Sequence, residues 1–288
     1  MKEQKIILPD NESFGLKDIF DCGQCFRWNR NKDNSYTGIF RNTVLNVKKE
    51  DGKIIFTGIS DENLFDAITS YFDLERDYNQ IKEVLSKVDE AMRNSIEYGK
   101  GIRILNQDLW ETIISFIISA NNNIPRIKGI IERLAKAYGD PLIWKSNIYY
   151  TFPTPEQLKD VSVEEFRKLG LGFRDIRLYE TTHMILEGKV NLEALKQEKD
   201  TEKIKNELLT LSGVGTKVAD CILLYSELKR IDVFPIDVWV RRVMNELYIK
   251  EEDENKVSKE KIMELAHRKF GSVAGIAQQY LYYWKREA

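Results

Sequence analysis

Residues 206–228, NELLTLSGVGTKVADCILLYSEL, contain two segments with helical apolar spacing, separated by LSGVG. This pattern predicts two helices joined by a tight turn. Gly213 and Gly215 bracket Val214, and glycine permits both an unusual backbone conformation and close approach by another backbone. The first N–H groups of the second helix, up to that of Val218, are free to bind a phosphate. The segment therefore predicts either a helical hairpin that binds a nucleic-acid backbone or a tight hairpin without a ligand.

Two candidate chemical groups lie in and after the second helix. Lys217 and Cys221 are four residues apart and therefore share one face of that helix. Twenty residues after Lys217, Asp237 precedes the apolar positions of a further helix and is placed to cap it. Each group also has a purely structural interpretation, because such lysines often extend to solvent, cysteines fill small apolar spaces and aspartates cap helices.

A second motif, DCGQCFRW at residues 21–28, has the spacing of a redox dithiol or of half a zinc site. The chain contains three cysteines and two histidines, at spacings that match no common four-ligand metal site. A redox pair would be expected at the start of a helix, whereas Cys22 and Cys25 are followed by strand-like sequence. We therefore expect a turn that contains two small, half-buried side chains.

Composition limits the class of protein more than its function. The chain has 288 residues and a formal net charge of -2, which does not itself indicate nucleic-acid binding. A basic face can nevertheless be offset by acidic surface elsewhere. No apolar run approaches the roughly 18 to 20 residues of a membrane helix, and the N-terminus lacks the features of a signal or transit peptide. We expect an intracellular protein without a membrane partner.

The hydrophobic period changes along the chain. Residues 36–59 are rich in β-branched and aromatic residues, and Asp51-Gly52 between two such runs predicts a β-hairpin. From about residue 100 the apolar period is helical, beginning with a helix that should end at SANNNIPR, where Pro125 disfavours continuation. We predict an α+β protein with an antiparallel, β-rich domain at residues 1–98 and a larger, all-helical domain at residues 99–288.

Five separated motifs resemble the helix-hairpin-helix DNA glycosylase superfamily, and within it the 8-oxoguanine DNA glycosylases with associated lyase activity. In chain order they are CGQCFRW, FIISANNNIPRI, LGLGFR, LSGVGTKVADC with FPIDVWV, and AGIAQQYLY. The resemblance covers nearly the whole chain. It implies a TATA-binding-protein-like β domain beside the helical one, and base-excision repair of double-stranded DNA containing 8-oxoguanine, without a required cofactor.

The resemblance assigns the chemistry to two residues. Lys217 would attack the anomeric carbon of the damaged nucleotide, giving a Schiff base and strand cleavage by β-elimination. Asp237 would stabilise the positive charge that develops on the sugar, or help to move protons. An ammonium group cannot attack, so we expect burial to lower the pKa of Lys217.

The same resemblance places four residues around the flipped base. The carbonyl of Gly23 would accept a hydrogen bond from the N–H that distinguishes 8-oxoguanine from guanine, which would make the neighbouring cysteines incidental. Cys221 and Tyr282 would contact the two faces of the base, and Gln278 would read its Watson–Crick edge. Cys221 could also share a proton with Lys217 as an ammonium–thiolate pair.

Other residues match family positions that bind the opposite strand. Asn121, Arg126 and Arg174 would hydrogen-bond the cytosine left without its partner, and Phe173 would act as a wedge. Arginine donors suit the acceptors of cytosine, so we expect a preference for the lesion opposite cytosine. Trp239 stands where relatives carry a phosphate-contacting histidine, so the resemblance does not establish that contact.

The backbone carbonyls of Leu209, Leu211 and Val214 match a cation site in the hairpin of the family, for a monovalent ion such as K⁺ or Na⁺. Two alternatives remain: another glycosylase of the superfamily, or a non-enzymatic helix-hairpin-helix DNA-binding module. The former is disfavoured because this chain lacks four C-terminal cysteines for an iron–sulfur cluster and has a lysine at position 217. We expect a monomer, in the bacterial cytoplasm with the nucleoid in preference to the nucleus.

Overall fold

The computed structural model describes residues 1–253 and 256–287. The strands are β1 (Glu3–Pro9), β2 (Trp28–Arg30), β3 (Tyr36–Phe40), β4 (Thr43–Glu50), β5 (Lys53–Ile59), β6 (Pro141–Trp144) and β7 (Asn147–Tyr150). The first five form an antiparallel sheet in the order β1-β5-β4-β3-β2. Strands β6 and β7 form a separate antiparallel pair.

The predicted hairpin at Asp51-Gly52 is confirmed. Strands β4 and β5 pair from Glu50 opposite Lys53, and the two residues between them have φ of 49° and 68°. Positive φ at both central positions is the backbone of a type I′ turn, which matches the twist of the strands it joins. Asparagine, aspartate and glycine tolerate this conformation best, so the dipeptide fixes the register of the sheet centre.

Helices make up most of the remaining chain. They are α1 (Leu16–Phe20), α2 (Leu64–Tyr71), α3 (Tyr78–Ser86), α4 (Glu90–Tyr98), α5 (Leu109–Ser119), α6 (Ile124–Tyr138), α7 (Pro155–Leu158), α8 (Val163–Lys168), α9 (Asp175–Leu186), α10 (Leu192–Gln197), α11 (Thr201–Leu208), α12 (Thr216–Tyr225), α13 (Val238–Met244), α14 (Lys259–Phe270) and α15 (Ala274–Glu287). A π-helical turn, Asn245–Ile249, follows α13. The α+β class and the helical segments expected from periodicity are confirmed.

The end of α5 shows how the sequence separates two helices. Apart from the half-buried Glu111, residues 109–118 of α5 are buried, and the helix ends at Ser119. Asn121 then adopts a φ of 50°, which breaks the helix, and the Asn123 side chain accepts a hydrogen bond from Arg126 N to cap α6. Pro125 lies in the first turn of α6, where its missing N–H has no consequence.

One short element was not expected. The helical part contains the β6–β7 hairpin, whose turn residues Lys145 and Ser146 have φ of 48° and 62°. The larger domain is therefore predominantly, and not entirely, helical. Its Trp144 and Leu142 pack against Ile39 and Val44 of the N-terminal sheet, so the hairpin covers part of that sheet.

Two main cores lie beneath these elements. The sheet and α1 and α2 enclose an aromatic core that includes Phe20, Trp28 and Phe72. The core of the helices also contains Cys22 and Phe26 from the N-terminal part. The domain boundary after residue 98 therefore stays a prediction. Within the described ranges, no helix is long and apolar enough to cross a membrane.

Candidate active site

Helices α5, α12 and α15 surround a small pocket together with the loops after α1 and before α13. Its lining residues are Gly23, Phe116, Lys217, Cys221, Tyr225, Pro235, Asp237, Gln278 and Tyr282. The cavity has a volume of about 40 Å³, far below the roughly 300–1,000 Å³ of ordinary ligand pockets. A nucleobase therefore enters only if lining side chains move apart. Wider clefts exist elsewhere, including one of about 600 Å³ beside Arg103, so size alone does not identify this site.

Lys217 lies in the first turn of α12 and is half-buried. Its Nζ is 5.4 Å from the centroid of the Phe116 ring, and it interacts with the thiol of Cys221 one turn further along the helix. The predicted placement of Lys217 and Cys221 on one helix face is confirmed. The amine therefore faces the pocket and does not extend to solvent.

The expected pKa of Lys217 was wrong. Burial lowers the pKa of this amine, but the electrostatic effects of Cys221 and Asp237 outweigh burial and raise it above the ordinary lysine value. In the free protein Lys217 is therefore an ammonium ion at neutral pH. The residues that line the pocket therefore favour the charged form of Lys217 in the free protein.

Cys221 is buried on the same helix face. Burial raises the pKa of its thiol to about 11, although Lys217 acts in the opposite direction. At neutral pH the thiol is therefore protonated. The free protein thus favours an ammonium beside a thiol over the ammonium–thiolate pair considered from the sequence.

Asp237 precedes α13 and is half-buried. Its Oδ1 accepts a hydrogen bond of 2.8 Å from Val240 N, which confirms the predicted helix cap. Its carboxylate also acts on Lys217 electrostatically, so capping and a catalytic role are compatible. The next residues, Val238 and Trp239, are exposed beside the pocket.

The Gly23 segment is fixed by side chains from distant parts of the chain. Gln24 is buried, and its side-chain amide donates to the carbonyls of Ile19 and Arg103. Gly23 itself has a φ of 89°, a conformation that glycine adopts readily and other residues do not. Among the described residues none donates to the Gly23 carbonyl, which leaves it free to accept a hydrogen bond from a ligand.

Cys22 and Cys25 are both buried, not half-buried as expected. Their thiols contact the carbonyls of Ile19 and Phe20. Burial raises the pKa of Cys22 to about 12 and also raises that of Cys25. Since thiolates carry out redox and metal chemistry, these values support the interpretation of the two cysteines as packing residues.

Gln278 and Tyr282 lie one turn apart on α15, as the sequence predicted. Gln278 is only 4% exposed, and its Oε1 has no hydrogen-bond partner among the described residues. A buried acceptor without a donor costs about 1–3 kcal/mol. This atom is therefore placed to be satisfied by a ligand that enters the pocket.

The backbone of the hairpin requires glycine at one of its two glycine positions and not at the other. Gly213 has a φ of 83° and packs against the side chain of Arg177, so the turn itself requires glycine there. Gly215 has an ordinary φ of -96°, and a Cβ added to it would contact nothing. The turn therefore does not require glycine at position 215, and the expected close approach of another backbone to Gly215 stays a prediction. Gly215 lies before α12 without a capping side chain, so the first N–H groups of that helix, including that of Val218, face outward.

The carbonyls of Leu209, Leu211 and Val214 lie in and beside the same turn. The Leu211 carbonyl accepts a hydrogen bond of 3.1 Å from Val214 N. A carbonyl has two lone pairs, so this bond leaves it one for a cation. The monovalent-ion site at the three carbonyls stays a prediction.

Arg126, Arg174 and Arg177 form an arginine cluster around the exposed ring of Phe173. The guanidinium carbons of Arg174 and Arg177 lie 4.2 and 5.1 Å from the ring centroid, and Phe173 is 53% exposed. The Nη2 atom of Arg126 donates to the Gly170 carbonyl at 3.3 Å. The structure thus brings these side chains together at the end of α5, about one turn beyond Phe116.

Arg174 differs from Arg126 in its exposure and in its hydrogen bonds. It is only 1% exposed, and its guanidinium donates to the carbonyls of Ala120, Asn121 and Leu171. Arg126, in contrast, is exposed. In the free protein Arg174 therefore supports the turn that presents Asn121, whereas Asn121 and Arg126 are themselves exposed.

Several residues of the pocket were not expected from the sequence. Phe116, Tyr225 and Pro235 line it, and Arg286 contacts Tyr282 from outside. Phe116 is on a helix that is buried on all sides, so its apolar period gave no indication of which side meets a pocket. Arg286 gave no local signal at all, since its partners are distant in sequence.

Two family models match the chain. The model of the 8-oxoguanine DNA glycosylase N-terminal domain matches residues 5–113. The model of the HhH-GPD superfamily of base excision DNA repair proteins matches residues 114–268. Together they span both parts of the fold described above.

Individual proteins give the same assignment. The chain is 45% identical to MBOgg1, solved with a low-affinity DNA ligand, over 100% of this chain and 99% of that one, with a TM-score of 0.92. It is 42% identical to the 8-oxoguanine glycosylase/lyase of Clostridium acetobutylicum, solved with double-stranded DNA containing cytosine opposite 8-oxoguanine (99% and 97% covered, TM-score 0.92). The N-glycosylase/DNA lyase of Saccharomyces cerevisiae is 30% identical, over 93% of this chain and 82% of the yeast protein. The protein therefore belongs to the HhH-GPD superfamily of base excision DNA repair proteins, with the N-terminal domain of the 8-oxoguanine DNA glycosylases.

Proposed function

We propose that this protein is a bifunctional DNA glycosylase and apurinic/apyrimidinic-site lyase that removes 8-oxoguanine from double-stranded DNA. The observation that carries the proposal is the position of Lys217 in a pocket, beside Asp237 and Cys221. The names of the yeast and clostridial relatives support the same activity and substrate. Likeness to the 3-methyladenine glycosylase of Archaeoglobus fulgidus, at 22% identity, concerns the fold alone.

Recognition begins with entry of the base. A base inside a duplex is inaccessible, so the nucleotide must leave the stack and enter the pocket. There the Gly23 carbonyl accepts a hydrogen bond from the extra N–H of 8-oxoguanine, and the unpaired Oε1 of Gln278 accepts another from the base edge. Cys221 and Tyr282 contact the two faces of the base. Guanine would place a lone pair against the Gly23 carbonyl, which disfavours its binding.

Excision then proceeds by attack of the Lys217 amine on the anomeric carbon. The ammonium first loses its proton to water. The glycosidic bond breaks with its electron pair leaving on the base, which takes up a proton, while the bond from Nζ to carbon forms. The carboxylate of Asp237 stabilises the positive charge that develops on the sugar. Opening of the sugar ring gives a Schiff base, and β-elimination breaks the strand on the 3′ side.

The arginine cluster fits the opposite strand. Phe173 inserts into the gap left by the flipped nucleotide, while Arg126 and Asn121 donate hydrogen bonds to the orphan cytosine. Arg174 completes this surface by holding the Asn121 backbone. The N–H groups that follow Gly213 and Gly215 bind a backbone phosphate of the damaged strand, so binding does not depend on net positive charge.

Borohydride trapping tests the proposal. Reduction of a reaction with DNA containing 8-oxoguanine opposite cytosine should give a covalent protein–DNA adduct, which Lys217→Gln abolishes. Lys203→Gln, an exposed lysine on α11, is the matched control and should keep the adduct. A non-enzymatic DNA-binding module would bind this DNA without releasing the base. A glycosylase without lyase chemistry would release the base without an adduct.

We further propose that the protein acts as a monomer at the bacterial nucleoid, with K⁺ or Na⁺ bound by the carbonyls of Leu209, Leu211 and Val214. Such an ion would fix the hairpin and complement the charge of the bound phosphate. Replacing K⁺ and Na⁺ by tetramethylammonium at constant ionic strength should then weaken DNA binding. Light scattering of the free protein and of its DNA complex measures the oligomeric state.

A further inference from the structure

Two side chains of α15 hold the backbone that precedes Gly23. The Nε2 of Gln279 donates to the Cys22 carbonyl at 2.9 Å, and the Nη2 of Arg286 donates to the Asp21 carbonyl at 2.6 Å. Gln279 and Arg286 are seven residues apart, which is about 10 Å along a helix. The loop is therefore fixed at two separate points on the helix that also carries Gln278 and Tyr282.

Arg286 also contacts a wall of the pocket. Its Nη1 lies 3.4 Å from the Tyr282 hydroxyl, and its guanidinium carbon lies 5.2 Å from the centroid of that ring. A Cβ added to Gly23 would lie 2.9 Å from the same Nη1. One guanidinium thus touches the recognition loop on one side and Tyr282 on the other.

The remaining contact of Arg286 does not explain this arrangement. Its Nε also donates to Glu287 at 3.0 Å, a pair between adjacent residues near the end of the helix that contributes little to stability. The side chain is only 16% exposed, although an arginine in the last turn of a helix would ordinarily extend into water. The burial of this side chain against Asp21 and Tyr282 therefore indicates that it has a role at the pocket.

We propose that Arg286 is a positioning residue for base discrimination, which sets the distance between the Gly23 carbonyl and the Tyr282 ring. The inference rests on the proposed function, since it concerns the pocket for the damaged base. The strength of a hydrogen bond falls steeply with distance and angle. The Gly23 carbonyl distinguishes 8-oxoguanine from guanine by one hydrogen bond. It must therefore be held in place before the base arrives.

The test compares Arg286→Leu with the wild type in two assays of the full-length protein. One measures single-turnover excision of 8-oxoguanine opposite cytosine, and the other measures borohydride trapping at a preformed abasic site, which contains no base. Loss of a positioning contact costs about 10- to 100-fold in rate. We expect that loss in excision, with trapping at the abasic site unchanged within about twofold.

Three further variants complete the experiment. Arg286→Lys retains a donor for the Asp21 carbonyl and should recover part of the excision rate. Tyr282→Phe removes the hydroxyl partner, and its effect should not add to that of Arg286→Leu because both remove one contact. Lys285→Leu, the adjacent residue paired with Glu246 on the surface, is the matched control and should retain wild-type rates.

The outcomes are distinguishable. Equal losses in excision and abasic-site trapping by Arg286→Leu, or no loss in either, would overturn the proposal. If Arg286→Leu does not fold, additive effects of Arg286→Lys and Tyr282→Phe would overturn it instead. Failure of the proposed function would appear in the wild-type protein, as neither excision nor trapping.

Discussion

The pocket and the arginine cluster differ in whether their polar groups already have partners. In the pocket, the Oε1 of Gln278 is a buried acceptor without a donor among the described residues, and the Gly23 carbonyl likewise accepts no hydrogen bond. In the cluster, Arg174 already donates to several backbone carbonyls. The polar groups of the pocket therefore need a ligand to find partners, whereas Arg174 of the cluster has its partners without DNA.

The two regions should therefore contribute differently to the stability and to the activity of the protein. A pocket residue without a hydrogen-bond partner adds little to the stability of the free protein. Its replacement should therefore reduce activity before it reduces stability. Replacing Arg174 leaves the part-buried carbonyls of Ala120 and Asn121 without their charged donor, so it should affect stability first. The predictions below test this division.

The largest effect is expected for Asp237→Asn. Asparagine caps helices as well as aspartate does, so α13 should persist while the carboxylate charge is lost. Removing that charge also lowers the pKa of Lys217, because Asp237 raises it, and this change alone would favour attack. We nevertheless expect single-turnover excision to fall by about 100-fold or more, since removal of one transition-state electrostatic contact costs about 10²–10³.

The matched control for Asp237→Asn is Asp200→Asn, at the cap of α11, which should change neither excision nor the melting temperature. An excision rate for Asp237→Asn that equals or exceeds that of the wild type would show that Asp237 only caps the helix and retains the proton on Lys217. That result would contradict its assigned role in the pocket.

Local patterns were sufficient to predict most of the fold. The Asp51-Gly52 turn and the apolar spacing of α5, α12 and α15 are properties of consecutive residues, so they could be read directly. The β6–β7 hairpin could not, because Lys145 and Ser146 adopt positive φ without the usual turn residues. Packing of this hairpin against the N-terminal sheet overrides their local preference.

The resemblance to a family supplied the residues of the site, including Gly23 and Asp237, whereas helical spacing predicted which of them share a helix face. The shared faces of Lys217 with Cys221, and of Gln278 with Tyr282, follow from that spacing. The direction of the Lys217 pKa was missed because burial was the only effect visible from the sequence. The charge of Asp237 reaches the amine from another element. Arg286 was missed for the same reason, since its partner Asp21 is 265 residues away.

An intermediate effect separates Arg174 from Arg126 in the arginine cluster. Arg174→Ala should lower the free energy of unfolding by about 2–3 kcal/mol, because buried and part-buried carbonyls lose a charged donor. Arg126→Ala, on the surface, should change it by less than about 0.5 kcal/mol. It should instead reduce the preference for cytosine over adenine opposite the lesion by roughly tenfold, since one base contact contributes about 1–3 kcal/mol of discrimination.

Thermal unfolding and excision opposite each of the four bases measure these two changes. Equal destabilisation by the two substitutions would show that Arg174 is not a structural support of the turn. An unchanged preference for cytosine in Arg126→Ala would remove this arginine from recognition of the opposite strand.

The smallest effect concerns Cys221 and the proton on Lys217. Burial lowers the pKa of Lys217, while Cys221 and Asp237 raise it to a net value above that of an ordinary lysine. Removing Cys221, one of the groups that raise it, in Cys221→Ala should therefore lower that pKa, so the neutral amine becomes available at lower pH. The rate of borohydride trapping at a preformed abasic site should then begin to rise at lower pH than in the wild type. The abasic site excludes any contribution from contact between Cys221 and the base. If both proteins gave the same pH profile, Asp237 and Tyr282 would retain the proton, and Cys221 would serve only as a wall of the pocket.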